Sequence, residues 1–123
     1  MKLLIVEDNP GVRKVIRNLV ASVADEICEC ADGAGGLALF RQERPHFVLM
    51  DIQMDGMDGI TATRQVKTID PTARVIIVTD YDQPDLREAA YQAGACGYVS
   101  KENLLELVRL LDKFDKGGKL TEK

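Results

Sequence analysis

The sequence has no cluster of lysine and arginine, no apolar run long enough for a membrane and no paired set of cysteines and histidines. Each absence removes a class of function. Phosphate neutralisation needs basic side chains gathered on one face, so a chain of formal charge −4 without such a cluster is not expected to bind nucleic acid directly. The opening MKLLIVEDNP holds one lysine and a short apolar run before an acidic pair, which is neither a secretory segment nor a membrane span. No membrane association is expected, and a cytoplasmic location is the default. Cys28, Cys30 and Cys96 are odd in number, and the only histidine, His46, is far from them. The three thiols read as small hydrophobes in a reducing compartment ahead of a metal site or disulfide.

What is present is a regular alternation. At 123 residues the chain suits one domain with one core. Three compact apolar runs, LLIV at 3–6, FVLM at 47–50 and VIIV at 75–78, are of strand length, and two mixed runs, EICEC at 26–30 and CGYV at 96–99, are weaker strand candidates. Helical patterns lie between them. Asn9 and Pro10 start the first, with Val12, Val15, Ile16 and Leu19 on one face. Leu86, Ala89, Ala90 and Ala93 form the stripe of another, and Leu104, Leu107, Val108 and Leu111 that of the last. A weaker helix spans 57–69, and the segment 33–40, with its paired glycines, is expected to be the weakest and most mobile.

Five strands alternating with five helices call for a doubly wound α/β fold, a parallel sheet covered on both faces. Continuous apolar runs belong to central strands and mixed ones to edges, which the order 2-1-3-4-5 satisfies. Ligands in such sheets bind at the carboxyl ends of the strands where the winding reverses, here between strands one and three. Those ends carry Glu7, Asp8 and Asp51. Three carboxylates in one crevice repel one another unless a cation neutralises them, and a small set of hard oxygen ligands suits Mg²⁺. Thr79 and Lys101 close strands four and five at the same edge, and a hydroxyl and an ammonium there form an anion site suited to phosphoryl transfer, with the Asp51 carboxylate as nucleophile. Singly, each residue has a plainer reading: a cap, a solvated turn, a strand end, a surface lysine.

The acidic pair VED at 6–8, LMDIQMDGMDG around Asp51, IIVT ending at Thr79 and GACGYVSK ending at Lys101 occur in an order and spacing that resemble the receiver domain of two-component response regulators. The resemblance spans roughly 3–111 and includes receivers attached to LuxR-type helix-turn-helix regulators. It implies a flavodoxin-like (βα)5 fold over 1–115, with 116–123 as a flexible tail or the start of a linker. It implies Asp51 as phosphoacceptor, with Glu7, Asp8, Asp51 and the Gln53 backbone carbonyl around Mg²⁺. Lys101 is implied as the partner of the phosphoryl group, Thr79 as its hydrogen-bond donor and Tyr98 as an aromatic switch that buries on phosphorylation, changing the surface around strand five and helices four and five. Implied partners are a sensor histidine kinase or phosphotransfer protein and an effector or output domain. The chain is then no enzyme in the ordinary sense, although it promotes its own phosphoryl transfer and dephosphorylation.

Against the switch stands a constitutive interaction module with the same fold and no phosphorylation. A flavodoxin-like cofactor carrier would need a phosphate loop where EDNPG would repel the phosphate, and an aspartyl phosphatase of the haloacid dehalogenase type would want an acid where Gln53 stands. Leu105, Leu110 and Phe114 fall off the last helix's stripe, as either a homodimer or partner surface or a solvated face. Three residues depart from the family pattern: Asp55 replaces the usual proline, Asp80 a small residue beside Thr79, and Glu102 a frequent proline. Asp80 is expected to repel small phosphodonors.

Overall fold

A computed structural model describes residues 1–115. The elements run β1 (Lys2–Val6), α1 (Pro10–Val20), β2 (Glu26–Cys30), α2 (Gly33–Glu43), β3 (Phe47–Met50), α3 (Gly59–Ile69), β4 (Val75–Thr79), α4 (Pro84–Gln92), β5 (Gly97–Ser100), a single 3₁₀ turn (Lys101–Asn103) and α5 (Leu105–Asp115). The five strands are parallel in the order β2-β1-β3-β4-β5, the order expected from the apolar runs. The tail expected over 116–123 lies outside the described residues.

Alternation along each strand divides the core into two layers. Leu4, Val6, Val48, Met50, Val75 and Ile77 face α2, α3 and α4 through Leu37, Phe40, Ala62, Val66 and Ala90. Leu3, Ile5, Leu49, Ile76 and Val78 face α1 and α5 through Ile16, Val20, Leu107 and Leu111. β1, β3 and β4 are buried on both faces, which explains their unbroken apolar runs. The cysteines are free and partly buried, with burial raising all three thiol pKa values, Cys30 to about 11. They pack against these layers as small hydrophobes.

Two apolar expectations are corrected. Val15, placed on the core face of α1, is 49% exposed, because Ile16 and Val20 take the buried stripe. Leu110 and Phe114, placed off the core stripe of α5, pack against it, with the Phe114 ring edge-on to Phe47 at 4.8 Å between centroids. Only Leu105 of that trio is open, at 60% exposure, so the greasy outer face expected of α5 is largely spent on the core.

The glycines of α2 answer to packing. A Cβ on Gly36 would stand 3.0 Å from a methyl carbon of Val6, so the bare backbone lets α2 lie close to β1, beside the acidic pair. Asp32 caps the helix by accepting from the Gly35 N–H, which offsets part of the low glycine propensity.

Candidate functional site

The carboxyl edge of the sheet holds a tight acidic cluster. The Glu7 N–H donates to the Cys30 carbonyl at 3.1 Å, and the Asp51 N–H to the Val6 carbonyl at 3.0 Å, so both acids sit on backbone still tied to the ladder. Asn9, and neither Glu7 nor Asp8, caps α1. Glu7 instead accepts from the Asn9 N–H at 3.0 Å, while Arg13 donates to the Glu7 carbonyl at 2.7 Å. Glu7 and Asp51 are 1% and 5% exposed, and Asp8 is open to solvent. One carboxylate oxygen from each of the three lies within 4.8 Å of the others.

The cluster leans on one cation. Lys101 Nζ stands 2.8 Å from Glu7 Oε1 and 3.3 Å from Asp51 Oδ1. Burial opposes the ammonium's charge, yet these contacts hold the Lys101 pKa above its ordinary value. For Asp51 the balance goes the other way. Burial first, and the Glu7 charge second, push its carboxyl up to about 6 against the pull of Lys101. One ammonium does not neutralise three acids.

That deficit bears on whether a divalent cation fits. Glu7 Oε1 is fully buried and, among the described residues, has the Lys101 ammonium as its one partner, at 2.8 Å. A buried anionic oxygen with a lone pair to spare, next to a second buried carboxylate and an exposed third, is a donor set for a hard cation that keeps part of its water shell. Gln53 lies with Asp8, Ile52, Met54, Asp55 and Asp58 along an open cleft of about 370 Å³ that runs outward from the cluster. The anomalous Asp55 is therefore on the wall of this cleft, exposed, and not among the three converging acids.

The loop from Asp51 to α3 depends on Gly59. Its N–H donates to the Ile52 carbonyl at 2.8 Å, and a Cβ there would fall 1.8 Å from the Asp51 carbonyl oxygen. No side chain can occupy that point. Asp58 caps the helix, accepting from the Ile60 and Thr61 N–H groups and the Thr61 hydroxyl, each at 2.9 Å. Although partial burial opposes it, this bonding holds the Asp58 carboxyl below the ordinary value.

Thr79 is fully buried at the end of β4, and its hydroxyl accepts from the Tyr81 N–H at 3.1 Å. Asp80 is exposed and shares a groove with Lys101, Gly11, Val12, Val15 and Leu104 on the α1–α5 side of the site. Tyr98, expected as the aromatic switch, is 7% exposed, and its hydroxyl donates to the Tyr81 carbonyl. The ring lies under the Arg87 guanidinium, 4.8 Å from the centroid, and Arg87 is paired with Asp82 at 2.9 Å. Burial raises the Tyr98 pKa, with Arg87 opposing. Tyr81, Asp82 and Arg87 were not legible as site residues, since their roles arise from contacts between β5, α4 and the loop before it.

The chain matches the family model described as "Response regulator receiver domain" over residues 3–112. It is 34% identical over 116 residues to the chemotaxis protein CheY of Bacillus subtilis, covering 94% of this chain and 95% of that one. It is 32% identical over 108 residues to sporulation initiation phosphotransferase F of the same organism, covering 88% and 87%. A crystal structure of a LuxR-family two-component response regulator from Aurantimonas superposes with a TM-score of 0.87 at 32% identity, covering 96% of this chain and 86% of that one. Among the described residues, no helix is long and apolar enough to cross a membrane.

Proposed function

From the premise that the chain belongs to the receiver domain family of two-component response regulators, we propose that it is a phosphorylation-dependent switch with Asp51 as phosphoacceptor. The observation that carries this is the charge deficit at the carboxyl edge, where two buried acids share one lysine and an exposed third stands beside them. Such repulsion is held by the backbone and is relieved by incoming cations, which also offset the further negative charge that an acyl phosphate on Asp51 would bring.

Glu7, Asp8 and Asp51, with the Gln53 carbonyl, would hold Mg²⁺. When bound, the ion supplies positive charge to the phosphoryl oxygens during transfer. The rest of the chemistry belongs to the chain. An Asp51 carboxylate oxygen attacks the phosphorus of a phosphohistidine on a partner kinase or phosphotransfer protein. A P–O bond forms, the P–N bond breaks, and the imidazole leaves as its neutral form after taking a proton from water. Lys101 exchanges its contact with the Asp51 carboxylate for one with the new phosphoryl oxygens, and the Thr79 hydroxyl turns from the Tyr81 N–H to donate to them. The switch works in the cytoplasm on an effector or output domain.

The test adds Mg²⁺ and beryllofluoride and follows the amide resonances. Shifts at Asp51 and Thr79 are expected, and no change at either defeats the reading. The second reading is a constitutive interaction module, in which the buried Tyr98 keeps one position. An effector that binds equally with and without the analogue would establish that alternative.

A further inference from the structure

Glu7 is held along its backbone from two sides. Its N–H donates to the Cys30 carbonyl at 3.1 Å, and its own carbonyl accepts from an Arg13 guanidinium nitrogen at 2.7 Å. That guanidinium is itself aimed. Its Nε stands 3.3 Å from one Glu29 carboxylate oxygen, and Arg17, one turn further along α1, meets the other oxygen of the same carboxylate. Glu29 looks toward α1 because it shares a face of β2 with Ile27, which packs in the layer of α1 and α5. The last two residues of β2 therefore serve the acidic pair together, Cys30 through its carbonyl and Glu29 through its side chain. The Arg13 and Glu29 side chains are mostly shielded, at 22% and 28% exposure, while Arg17 covers them from the solvent side at 46%.

We infer that Arg13, aimed by Glu29 and Arg17, is a positioning residue for Glu7 and Asp8, and that this brace sets how tightly the acidic cluster holds a divalent cation. The inference deepens the switch reading and rests on it for the role of that cation. Like charge drives the three acids apart, and the segment that carries two of them, between the end of β1 at Val6 and the start of α1 at Pro10, is short enough to be steered by one bond to its backbone. A guanidinium suits the place because its fixed fork meets a carbonyl with one nitrogen and a carboxylate with another, which an ammonium does less well. A bare cation behind the cluster would oppose the ion that the acids attract. Glu29 matches that charge on the spot, so the brace orients the ligands without repelling what they bind.

The experiment titrates the full chain with Mg²⁺ and reads the dissociation constant from the Asp8 and Asp51 amide resonances, with urea unfolding in the absence of the ion alongside. Arg13→Ala is expected to weaken Mg²⁺ binding about ten-fold, the low end of what the loss of a residue that orients metal ligands commands. The sign decides the matter. Removing a nearby positive charge would by itself tighten the binding of a cation, so an Arg13 acting through charge alone gives the opposite shift. A merely structural Arg13 would lower the urea midpoint and leave the dissociation constant of the folded chain where it was. Arg13→Lys, which keeps the charge and a donor, should recover part of the lost affinity, and Glu29→Gln should weaken binding about two- to five-fold as the brace loses its aim. Should Arg13→Ala fail to fold, Arg13→Gln supplies the same reading at smaller size. The inference is overturned if Arg13→Ala, or Arg13→Gln in its place, binds Mg²⁺ as tightly as the parent or more tightly, or if the parent's Asp8 and Asp51 amides ignore the ion. If Mg²⁺ binds as expected and added beryllofluoride moves neither Asp51 nor Thr79, the switch reading fails while the role of Arg13 stands.

Discussion

The two ends of the sheet are built on opposite electrostatics. At the amino end, Lys2 meets Glu43 at 2.7 Å, the Lys2 N–H donates to His46 Nδ1 at 2.9 Å, and the terminal ammonium meets Asp25. Arg74 lies over both rings of the Phe47–Phe114 pair, 5.6 and 4.7 Å from their centroids. Opposite charges find each other and rings stack, so local interactions agree with the fold. At the carboxyl end three acids converge beside one lysine, a helix start is pressed onto the Asp51 carbonyl, and the buried Glu7 Oε1 rests on that lysine. The same strands connect both ends, and the contrast locates where stability has yielded to chemistry.

Removing the central acid gives the largest effect. Asp51→Asn should abolish phosphoryl incorporation from a small acyl phosphate while making the fold roughly 1–2 kcal/mol more stable near neutral pH, as followed by urea unfolding. The sign follows from a carboxyl that titrates at about 6 folded and 3.8 in its ordinary state, so the ionised form opposes folding above about 6. The gain should shrink as the pH falls towards 3.8. A variant less stable than the parent at neutral pH would erase the contrast between the two ends. Gly59→Ala, which drives a Cβ onto the Asp51 carbonyl, should destabilise by about 3 kcal/mol in the same measurement. Phe114→Ala at the quiet end should lose about 2 kcal/mol and leave the beryllofluoride response of Asp51 intact. If that response weakens, the ends are coupled and the division is too sharp. The smallest effect is Asp80→Ala, which should quicken self-phosphorylation by acetyl phosphate on the order of two- to five-fold by relieving charge repulsion in the Lys101 groove. A variant no faster than the parent removes Asp80 from the account.

The fold was legible because strands buried on both faces have no place for polar residues, so LLIV, FVLM and VIIV announced themselves and the edge strands stood out by contrast. The helix α2 read poorly, since propensity counts the entropy of Gly36 and not the closeness to Val6 that it permits. Phe114 was misjudged because a helical stripe describes one facing surface, while the Phe47 ring extends the core past the edge of that stripe. Within the site, Glu7, Asp8, Asp51, Thr79 and Lys101 were legible as strand ends on one edge. Arg87 was not. Its partner Asp82 stands five residues back, before the helix begins, which is outside the i, i+4 spacing that betrays a helical ion pair, and Tyr98 is on another strand.

The hydrogen bonds that tie Asp51 to Val6 and Glu7 to Cys30 have a thermodynamic reach. Because the acids are fastened to the ladder, neither can step aside to ease its neighbour without opening the sheet that carries it. Whatever cation occupies the cluster is therefore linked to global unfolding, and its binding should appear as a melting temperature that climbs with the logarithm of ion concentration. The melting curve of the whole domain becomes a gauge of occupancy at one corner of it.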